Sequence, residues 1–107
     1  MWVLTEYSAV YLALSDENRL AILELLAGGE RCLCDVSESL GISNALASHH
    51  VKRLREAGLV TTERRGAWLH CRLDSTTVQA AADALRDLAT DAAFAAAGAC
   101  CLDRSAR

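Results

Sequence analysis

The side chains of this chain best suited to chemistry are two cysteines separated by one residue, Cys32 and Cys34. A pair of thiols is a ligand set for soft metal ions. The chain has five cysteines, an odd number. In a chain without features of secretion, this indicates metal binding or redox chemistry rather than a disulfide framework. The alternative interpretation is that Cys32 and Cys34 are ordinary half-buried cysteines.

The elements that would position these thiols are mostly helices. Apolar spacing, caps and glycines predict five helices, with Ser15 and Ser43 as N-caps and with ends at Gly28-Gly29, Gly41 and Gly58. The predicted helices span residues 3–14, 16–27, 32–40, 44–57 and 76–97. Cysteines at i and i+2 of a helix point about 200° apart. We therefore expect one ion to bind both thiols only if the start of the third helix deforms.

A short helix, a glycine turn and a capped amphipathic helix, in this order, are typical of a helix-turn-helix that binds DNA. The fourth helix has an inward stripe of Ala47, Val51 and Leu54. Its other face is polar and basic, and we expect that face to contact base edges and phosphates. The predicted contacts are Ser43, Asn44, Ala45, Ser48, His49, Lys52, Arg53 and Arg55.

Charge is distributed unevenly along the chain. Residues 43–73 hold six basic and two acidic residues, a net charge of +4, whereas the rest of the chain carries −7. A basic patch on an acidic body is expected of a protein with one DNA-facing surface. The alternative is an ordinary solvated helix with surface charge.

Two strands, over residues 59–64 and 67–73, are predicted on either side of Arg65-Gly66. We expect Arg64 and Arg65, at the tip of this hairpin, to reach phosphates or the minor groove. Cys71 alternates with Leu69 and Leu73 on the inward side, so it is expected to be a core residue. His50 is expected to be structural, and His70 to lie on the exposed face of the hairpin.

The predicted fold is mainly α with a β-hairpin wing: a winged helix-turn-helix. We expect a single domain over residues 1–107, in which residues 98–107 form a tail bearing Cys100 and Cys101. The longest apolar run is too short to span a bilayer, and the start of the chain lacks a signal-peptide pattern. These features predict a cytoplasmic protein without membrane contact. With no phosphate-binding loop and no nucleophile–base arrangement, we do not expect an enzyme.

Six segments together carry a resemblance to a known family. They are residues 13–23, 32–35, 48–50, 54–60, 65–68 and 72–73. In them the chain resembles the ArsR/SmtB family of metal-sensing repressors over nearly its whole length. The resemblance implies a homodimer formed through the first and last helices. It also implies a repressor that binds an inverted-repeat operator when metal-free and leaves it when the inducer binds.

Within that family, Cys32-Leu-Cys34-Asp35 is similar to the thiolate site of arsenic, cadmium and lead sensors. The arsenite sensor has a third cysteine where this chain has Ser37, and the cadmium and lead sensors add cysteines from an N-terminal arm. Here no cysteine precedes Cys32, and the last helix has no histidine for a zinc-type site. The resemblance instead implies Cys100 and Cys101 as the further ligands, because other arsenic repressors use a cysteine pair there.

Two thiolates and one from the tail would form a trigonal S₃ site for As(III) or Sb(III), whereas all four would form an S₄ site for Cd(II) or Pb(II). The first choice is therefore a repressor induced by As(III) or Sb(III), and the second is one induced by Cd(II) or Pb(II). A thiol-based redox repressor remains a third possibility, and Cys100 and Cys101 can also be an accidental part of a loose terminus.

Overall fold

A computed structural model of the protein describes residues 3–98 and shows the winged helix-turn-helix that the sequence predicts. A 3₁₀ turn, Val3–Tyr7, leads into the first helix. The helices are α1 (Ser8–Ala13), α2 (Glu17–Leu26), α3 (Leu33–Leu40), α4 (Asn44–Glu56) and α5 (Ser75–Gly98). The strands are β1 (Arg31–Cys32), β2 (Val60–Arg65) and β3 (Trp68–Leu73). Cys100 and Cys101 lie outside the described residues.

The N-cap of α2 is Asp16, and the expectation of Ser15 at this position was wrong. Asp16 has an extended backbone, and its Oδ1 accepts hydrogen bonds from the backbone N–H groups of Asn18 at 2.8 Å and Arg19 at 3.2 Å. The Ser15 hydroxyl instead donates to the Leu12 carbonyl of the preceding turn, at 2.6 Å. A carboxylate at this position satisfies two free N–H groups and also suits the positive end of the helix dipole.

The sheet has three antiparallel strands in the order β1-β3-β2, whereas the sequence predicted only the hairpin of β2 and β3. Arg31 pairs with Cys71 and Cys32 with His70, so the start of the cysteine motif is hydrogen-bonded to the wing. A strand of two residues has no periodicity, so its sequence could not reveal it. The hairpin turn contains Gly66 with a φ of +62°, a conformation that glycine adopts without strain.

Helices α3 and α4 pack on α2 around a common core. Val36 of α3 and Leu54 of α4 are fully buried, together with Ile22 of α2. Gly41 ends α3 in the left-handed conformation, and the Ser43 hydroxyl caps α4 by accepting from the Leu46 N–H at 3.0 Å. This core fixes α4 relative to α3, so the face of α4 opposite the core is presented to solvent.

Helix α5 is long and lies mostly outside this core. Its inner end is attached to α1, where the Tyr11 hydroxyl donates to the Ala81 carbonyl at 2.8 Å. Farther along, Leu85, Leu88 and Phe94 are exposed, Phe94 by 81%. Among residues 3–98, no helix is long and apolar enough to cross a membrane.

Candidate thiol site and nucleic-acid interface

The two thiols of the cysteine motif meet at the amino end of α3. The Sγ atoms of Cys32 and Cys34 lie 2.6 Å apart and share a hydrogen bond. Cys32 is the N-cap residue of α3, with an extended backbone (φ −79°, ψ 158°), and only Cys34 lies within the helix. The expectation that the two side chains point in opposite directions was therefore wrong, because it placed Cys32 inside the helix. No unwinding is needed to bring both thiols to one ion.

The contact between the two sulfurs affects the protonation of Cys34. The pKa of the Cys34 thiol is raised above its usual value, first by the hydrogen bond with Cys32 and then by partial burial. The charges of Cys32 and Asp35 raise it further. Metals bind thiolates rather than thiols, so an ion that binds here must displace protons.

Asp35 is a third potential ligand, whose role sequence reasoning did not assign. One sulfur from each cysteine and a carboxylate oxygen of Asp35 lie within 4.8 Å of one another. Within the described part of the chain, no other group of three or more metal-ligating side chains comes this close. Two sulfurs and an oxygen fit a soft or borderline cation, but As(III) and Sb(III) call for a third sulfur.

Cys71 does not provide that sulfur, in agreement with its expected role in the core. Its side chain is completely buried on β3. Burial raises the pKa of its thiol to about 11, with smaller contributions from the charges of Cys32 and Glu30. A thiol that is buried and protonated in this way is a structural residue.

The DNA-facing surface predicted for α4 is exposed as a whole. Every residue expected to contact DNA from this helix and its cap is open to solvent: Ser43, Asn44, Ala45, Ser48, His49, Lys52, Arg53 and Arg55. Ser43, Asn44 and Ser48 lie near the amino end, where a recognition helix reads bases. Arg53 and Arg55 lie in its last turn.

The thiol site and this surface share one cleft. Two adjoining open cavities, of about 290 Å³ and 580 Å³, are each lined by Cys34, Asn44 and Trp68, and we call them the Trp68 cleft. Ser48 and Arg64 line the smaller cavity. Trp68, at the start of β3, is 56% exposed. A ligand on Cys34 would thus lie in the cleft that also contains residues expected to read DNA.

A buried serine joins α3 to α4 beside this cleft. The Ser37 hydroxyl lies 2.6 Å from Asn44 Oδ1 and 3.0 Å from the Cys34 carbonyl, and Ser37 is only 7% exposed. From the sequence, Ser37 stood out only as the position of a missing cysteine. Its place next to Val36, on the inner side of a short helix, could have indicated a hydrogen-bonded hydroxyl, since buried hydroxyls need partners.

Arg64 and Arg65, at the wing tip, differ in their surroundings. Arg64 is exposed and lines the Trp68 cleft. Arg65 donates to Glu30 at 2.8 Å and to Glu63 at 2.8 Å, and these hydrogen bonds raise the pKa of its guanidinium. His70 was expected to be exposed, but its side chain is half-buried, and its Nδ1 lies 3.2 Å from Glu30 Oε2. Arg65 can contact DNA only in competition with two carboxylates.

His50 has the structural role expected of it. It is buried on the inner face of α4, where its Nδ1 lies 3.3 Å from Arg19 Nη1 and its Nε2 lies 4.0 Å from Asp16 Oδ1. Burial lowers the pKa of the imidazole, and Arg19 and His49 lower it further, whereas Asp16 acts in the opposite direction. His50 therefore connects α4 to the amino end of α2.

Known regulatory proteins are similar to this chain in the segment that contains the thiol pair and helices α2 to α4. The family model for the arsR family of bacterial regulatory proteins matches residues 16–62, which include α2, α3, α4 and the thiol pair. The arsenical resistance operon repressor of Bacillus subtilis is 35% identical over 77 residues, which are 71% of this chain and 73% of the repressor. The chain belongs to the arsR family. The family consists of DNA-binding transcriptional regulators rather than enzymes.

Two further relatives are similar over shorter stretches. The arsenical resistance operon repressor of Staphylococcus xylosus is 46% identical over 61 residues, which are 57% of this chain and 59% of the relative. A homolog of the cadmium resistance transcriptional regulatory protein CadC from Staphylococcus aureus is 35% identical over 75 residues, or 69% of this chain and 62% of the homolog. The matched segments thus leave more than a third of these two relatives uncovered.

Solved structures of similar proteins have the same fold. A homodimeric winged helix-turn-helix DNA-binding domain from Mycobacterium bovis is 30% identical, with a TM-score of 0.67 over 83% of this chain and 82% of that one. Reduced HlyU from Vibrio cholerae is 32% identical, with a TM-score of 0.63 over 75% of this chain and 84% of that one. These similarities confirm the predicted family and fold class.

Proposed function

We propose that this arsR-family regulator is a repressor that binds operator DNA as a homodimer and dissociates when As(III) or Sb(III) binds its cysteines. The observation that carries the proposal is that the sulfurs of Cys32 and Cys34 lie 2.6 Å apart, and that Cys34 lines the same cleft as Asn44 and Ser48. Relatives named as arsenical resistance operon repressors support the choice of metalloid. Such a protein acts where the operator is, in the cytoplasm.

The metalloid ligands in this proposal are Cys32, Cys34 and a thiolate from Cys100 or Cys101. The described residues supply two converging sulfurs, and As(III) forms three bonds in a trigonal site. Two sulfurs held about 2.3 Å from one ion lie roughly 3.5 Å apart, so the thiols must separate as the ion enters. Because Cys34 belongs to the first turn of α3, this separation acts on the helix that supports α4.

The DNA contacts in this proposal are those of α4 and the wing. Asn44, Ser48 and His49 read base edges, and Ser43 and Ala45 lie against the groove. Phosphates or the minor groove are contacted by the basic residues, which are Lys52, Arg53, Arg55, Arg64 and Arg65.

Replacing Ser48 with alanine should reduce discrimination between operator and random DNA while leaving salt dependence unchanged. Equal discrimination by the variant would place base reading elsewhere.

Cadmium or lead is the second candidate inducer. The observation that favours it is Asp35, whose carboxylate oxygen lies within 4.8 Å of both sulfurs and is a better ligand for a divalent cation than for a metalloid. The similarity to a CadC homolog supports the same alternative. In this alternative, Cys32, Cys34, Cys100 and Cys101 would together form an S₄ site around the ion.

Operator release under anaerobic reducing conditions separates these candidates. A duplex selected by the metal-free protein from a random DNA pool serves as the probe in fluorescence anisotropy. Arsenite, Cd(II), Pb(II) and Zn(II) are titrated in parallel. Release by stoichiometric arsenite alone would support the metalloid repressor, whereas release by Cd(II) or Pb(II) but not arsenite would contradict it.

The contribution of the tail is tested in the same assay. A chain that ends at Gly98 should respond to arsenite only at much higher concentration, because one sulfur is lost. The double variant Cys100→Ser/Cys101→Ser is the matched control, since it keeps the tail and removes only the thiols. An unchanged response in both would remove Cys100 and Cys101 from the site.

Redox sensing is a third candidate, favoured by the contact between the thiols. Two sulfurs 2.6 Å apart can form a disulfide with little movement, and a similar solved protein is described as reduced. Peroxide would oxidise the two thiols to one disulfide and be reduced to water. Loss of two titratable thiols together with operator release, in the absence of metal, would support this candidate over the metalloid repressor.

A further inference from the structure

Ser37 lies between Cys34 of the thiol site and Asn44 of α4, and its hydroxyl contacts both residues. It lies one helical turn after Cys34 and is 7% exposed. Its hydroxyl has one proton to donate and faces two acceptors, the Cys34 carbonyl at 3.0 Å and Asn44 Oδ1 at 2.6 Å. The first contact is a common bond within a helix, whereas the second joins α3 to the first residue of α4.

The bond to Asn44 restricts an amide that faces the DNA side of the molecule. Asn44 is exposed and lines the Trp68 cleft. An asparagine reads adenine with both its carbonyl oxygen and its NH₂ group, which requires a defined orientation of the amide. The oxygen has two acceptor sites, so one can be held by Ser37 while the other remains available.

The contact with the Cys34 carbonyl places the same hydroxyl against the first turn of α3, which carries one of the two thiols. The two sulfurs are 2.6 Å apart and would have to separate to bind one ion. That displacement acts on the first turn of α3, whose Cys34 carbonyl is within reach of Ser37. A displacement of this turn would therefore act first on the short hydrogen bond from Ser37 to Asn44.

We propose that Ser37 is a positioning residue that couples the occupancy of the thiol site to the orientation of Asn44, and thereby to operator affinity. The inference rests on the proposed function, because it describes how the thiol site regulates DNA binding. In the metal-free protein, Ser37 holds the Asn44 amide in the orientation that reads DNA. When the thiols bind an ion, the turn moves, the bond is lost and the amide is no longer held.

The test compares Ser37→Ala with Ser39→Ala in the full chain. Ser39 lies on the same helix but is exposed, so its variant controls for loss of a hydroxyl from α3. Operator affinity is measured with and without arsenite and, separately, with and without Cd(II). Ion affinity is measured directly by the ultraviolet absorption of the thiolate complexes. Circular dichroism checks that each variant is folded.

We expect Ser37→Ala to bind both ions as the unchanged chain does, while its metal-free operator affinity falls about threefold to tenfold, the effect of one hydrogen bond. Affinity in the presence of the ion should not change, so the release ratio falls by the same factor. Ser39→Ala should keep the full ratio. Ser37→Thr, which retains the hydroxyl, should restore most of it.

Other results would overturn the inference. An unchanged release ratio in Ser37→Ala would show that Ser37 does not couple the two sites, and equal losses of operator affinity with and without the ion would show a purely structural role. Should Ser37→Ala not fold, Asn44→Ala removes the acceptor from an exposed position, and an unchanged ratio there has the same meaning. If the unchanged chain is not released by either ion, the proposed function itself fails, which its own titration shows before any variant is made.

Discussion

At the scale of single residues, the ion binding proposed for the thiol site would depend on competition between protons and the ion. The raised pKa of Cys34 means that its thiol is largely protonated near neutral pH. An ion gains the site by displacing that proton, and sulfur is favoured over oxygen only by soft ions. The identity of the donor atom at position 34 therefore matters more than the size of the side chain.

Replacing Cys34 with serine changes that donor atom with little change in shape. We expect operator affinity without metal to stay within about twofold. Arsenite affinity should fall by more than the roughly 10–100-fold that is typical when a side chain that only supports a metal ligand is lost. Release from the operator should then be lost at stoichiometric arsenite. Fluorescence anisotropy and direct ion titration measure the two quantities.

The control for this prediction is Cys71→Ala. It removes another thiol, but from the buried core, so it should lower stability and leave the response to arsenite intact. Loss of metal-free DNA binding in Cys34→Ser would contradict the prediction, because it would give Cys34 a structural role.

At the scale of elements, caps decide where each helix begins. Asp16 caps α2 with two hydrogen bonds and also lies near His50 of α4. Cys32 begins α3 with an extended backbone, which turns its side chain toward Cys34. A shift of one residue in a helix start thus decides whether two thiols diverge or meet.

Asp16→Ala tests the cap of α2 directly. We expect the free energy of unfolding in urea to fall by about 1 kcal/mol, as is usual when an N-cap is lost. Ser15→Ala is the matched control, one residue earlier, and should cost less because Ser15 bonds only to the exposed turn before it. Equal losses in both variants would argue against Asp16 as the cap.

The contact of α4 with α2 through His50 should depend on pH. Burial lowers the pKa of His50 below the 6.5 of an unfolded histidine, so the folded chain holds the imidazole neutral. The unfolded chain takes up a proton first as the pH falls. The free energy of unfolding should therefore decrease as the pH falls from about 7 toward 5.

The groups facing His50 are Asp16 and Arg19 of α2 and His49 of its own helix. The pKa of Asp16 is lowered below 3.8, so its carboxylate stays ionised throughout this range. Burial alone would raise that pKa, but the backbone bonds from Arg19 and Asn18 and the nearby positive charges outweigh it. Urea unfolding at several pH values should show a smaller slope for His50→Gln, and an equal slope would assign the dependence to another group.

The order of elements could be predicted from the sequence because periodicity and glycine positions are local signals. The exposed residues of α4 and the buried Cys71 followed from the same patterns. The meeting of Cys32 with Cys34, the strand β1 and the pairing of Arg65 with Glu30 could not be predicted. They depend on the exact start of α3 and on contacts between residues 35 to 40 positions apart, for which the sequence has no local signal.

At the scale of the whole molecule, α5 extends beyond the core with an apolar surface that residues 3–98 leave exposed to solvent. Leu85, Leu88 and Phe94 of α5 and Leu12 of α1 are all exposed, Leu88 by 54%. Such patches mark interaction sites. A second copy of the chain is the partner that the homodimeric relative supports.

A homodimer through α1 and α5 would place two α4 helices on successive half-sites of an inverted repeat. A substitution that weakens dimerisation should therefore also weaken operator binding.

Leu88→Glu puts a charge into the interface twice, once from each subunit, because a symmetric interface repeats every residue. Each leucine loses the roughly 1.5–3 kcal/mol of its burial, so dimerisation should weaken at least about 100-fold. Analytical ultracentrifugation and operator binding are measured on the same sample, with Asp87→Asn as a control that changes charge on α5 without removing apolar surface. A Leu88→Glu protein that remains dimeric and binds its operator normally would place the dimer interface on another surface, and the exposed leucines of α5 would then need a different partner.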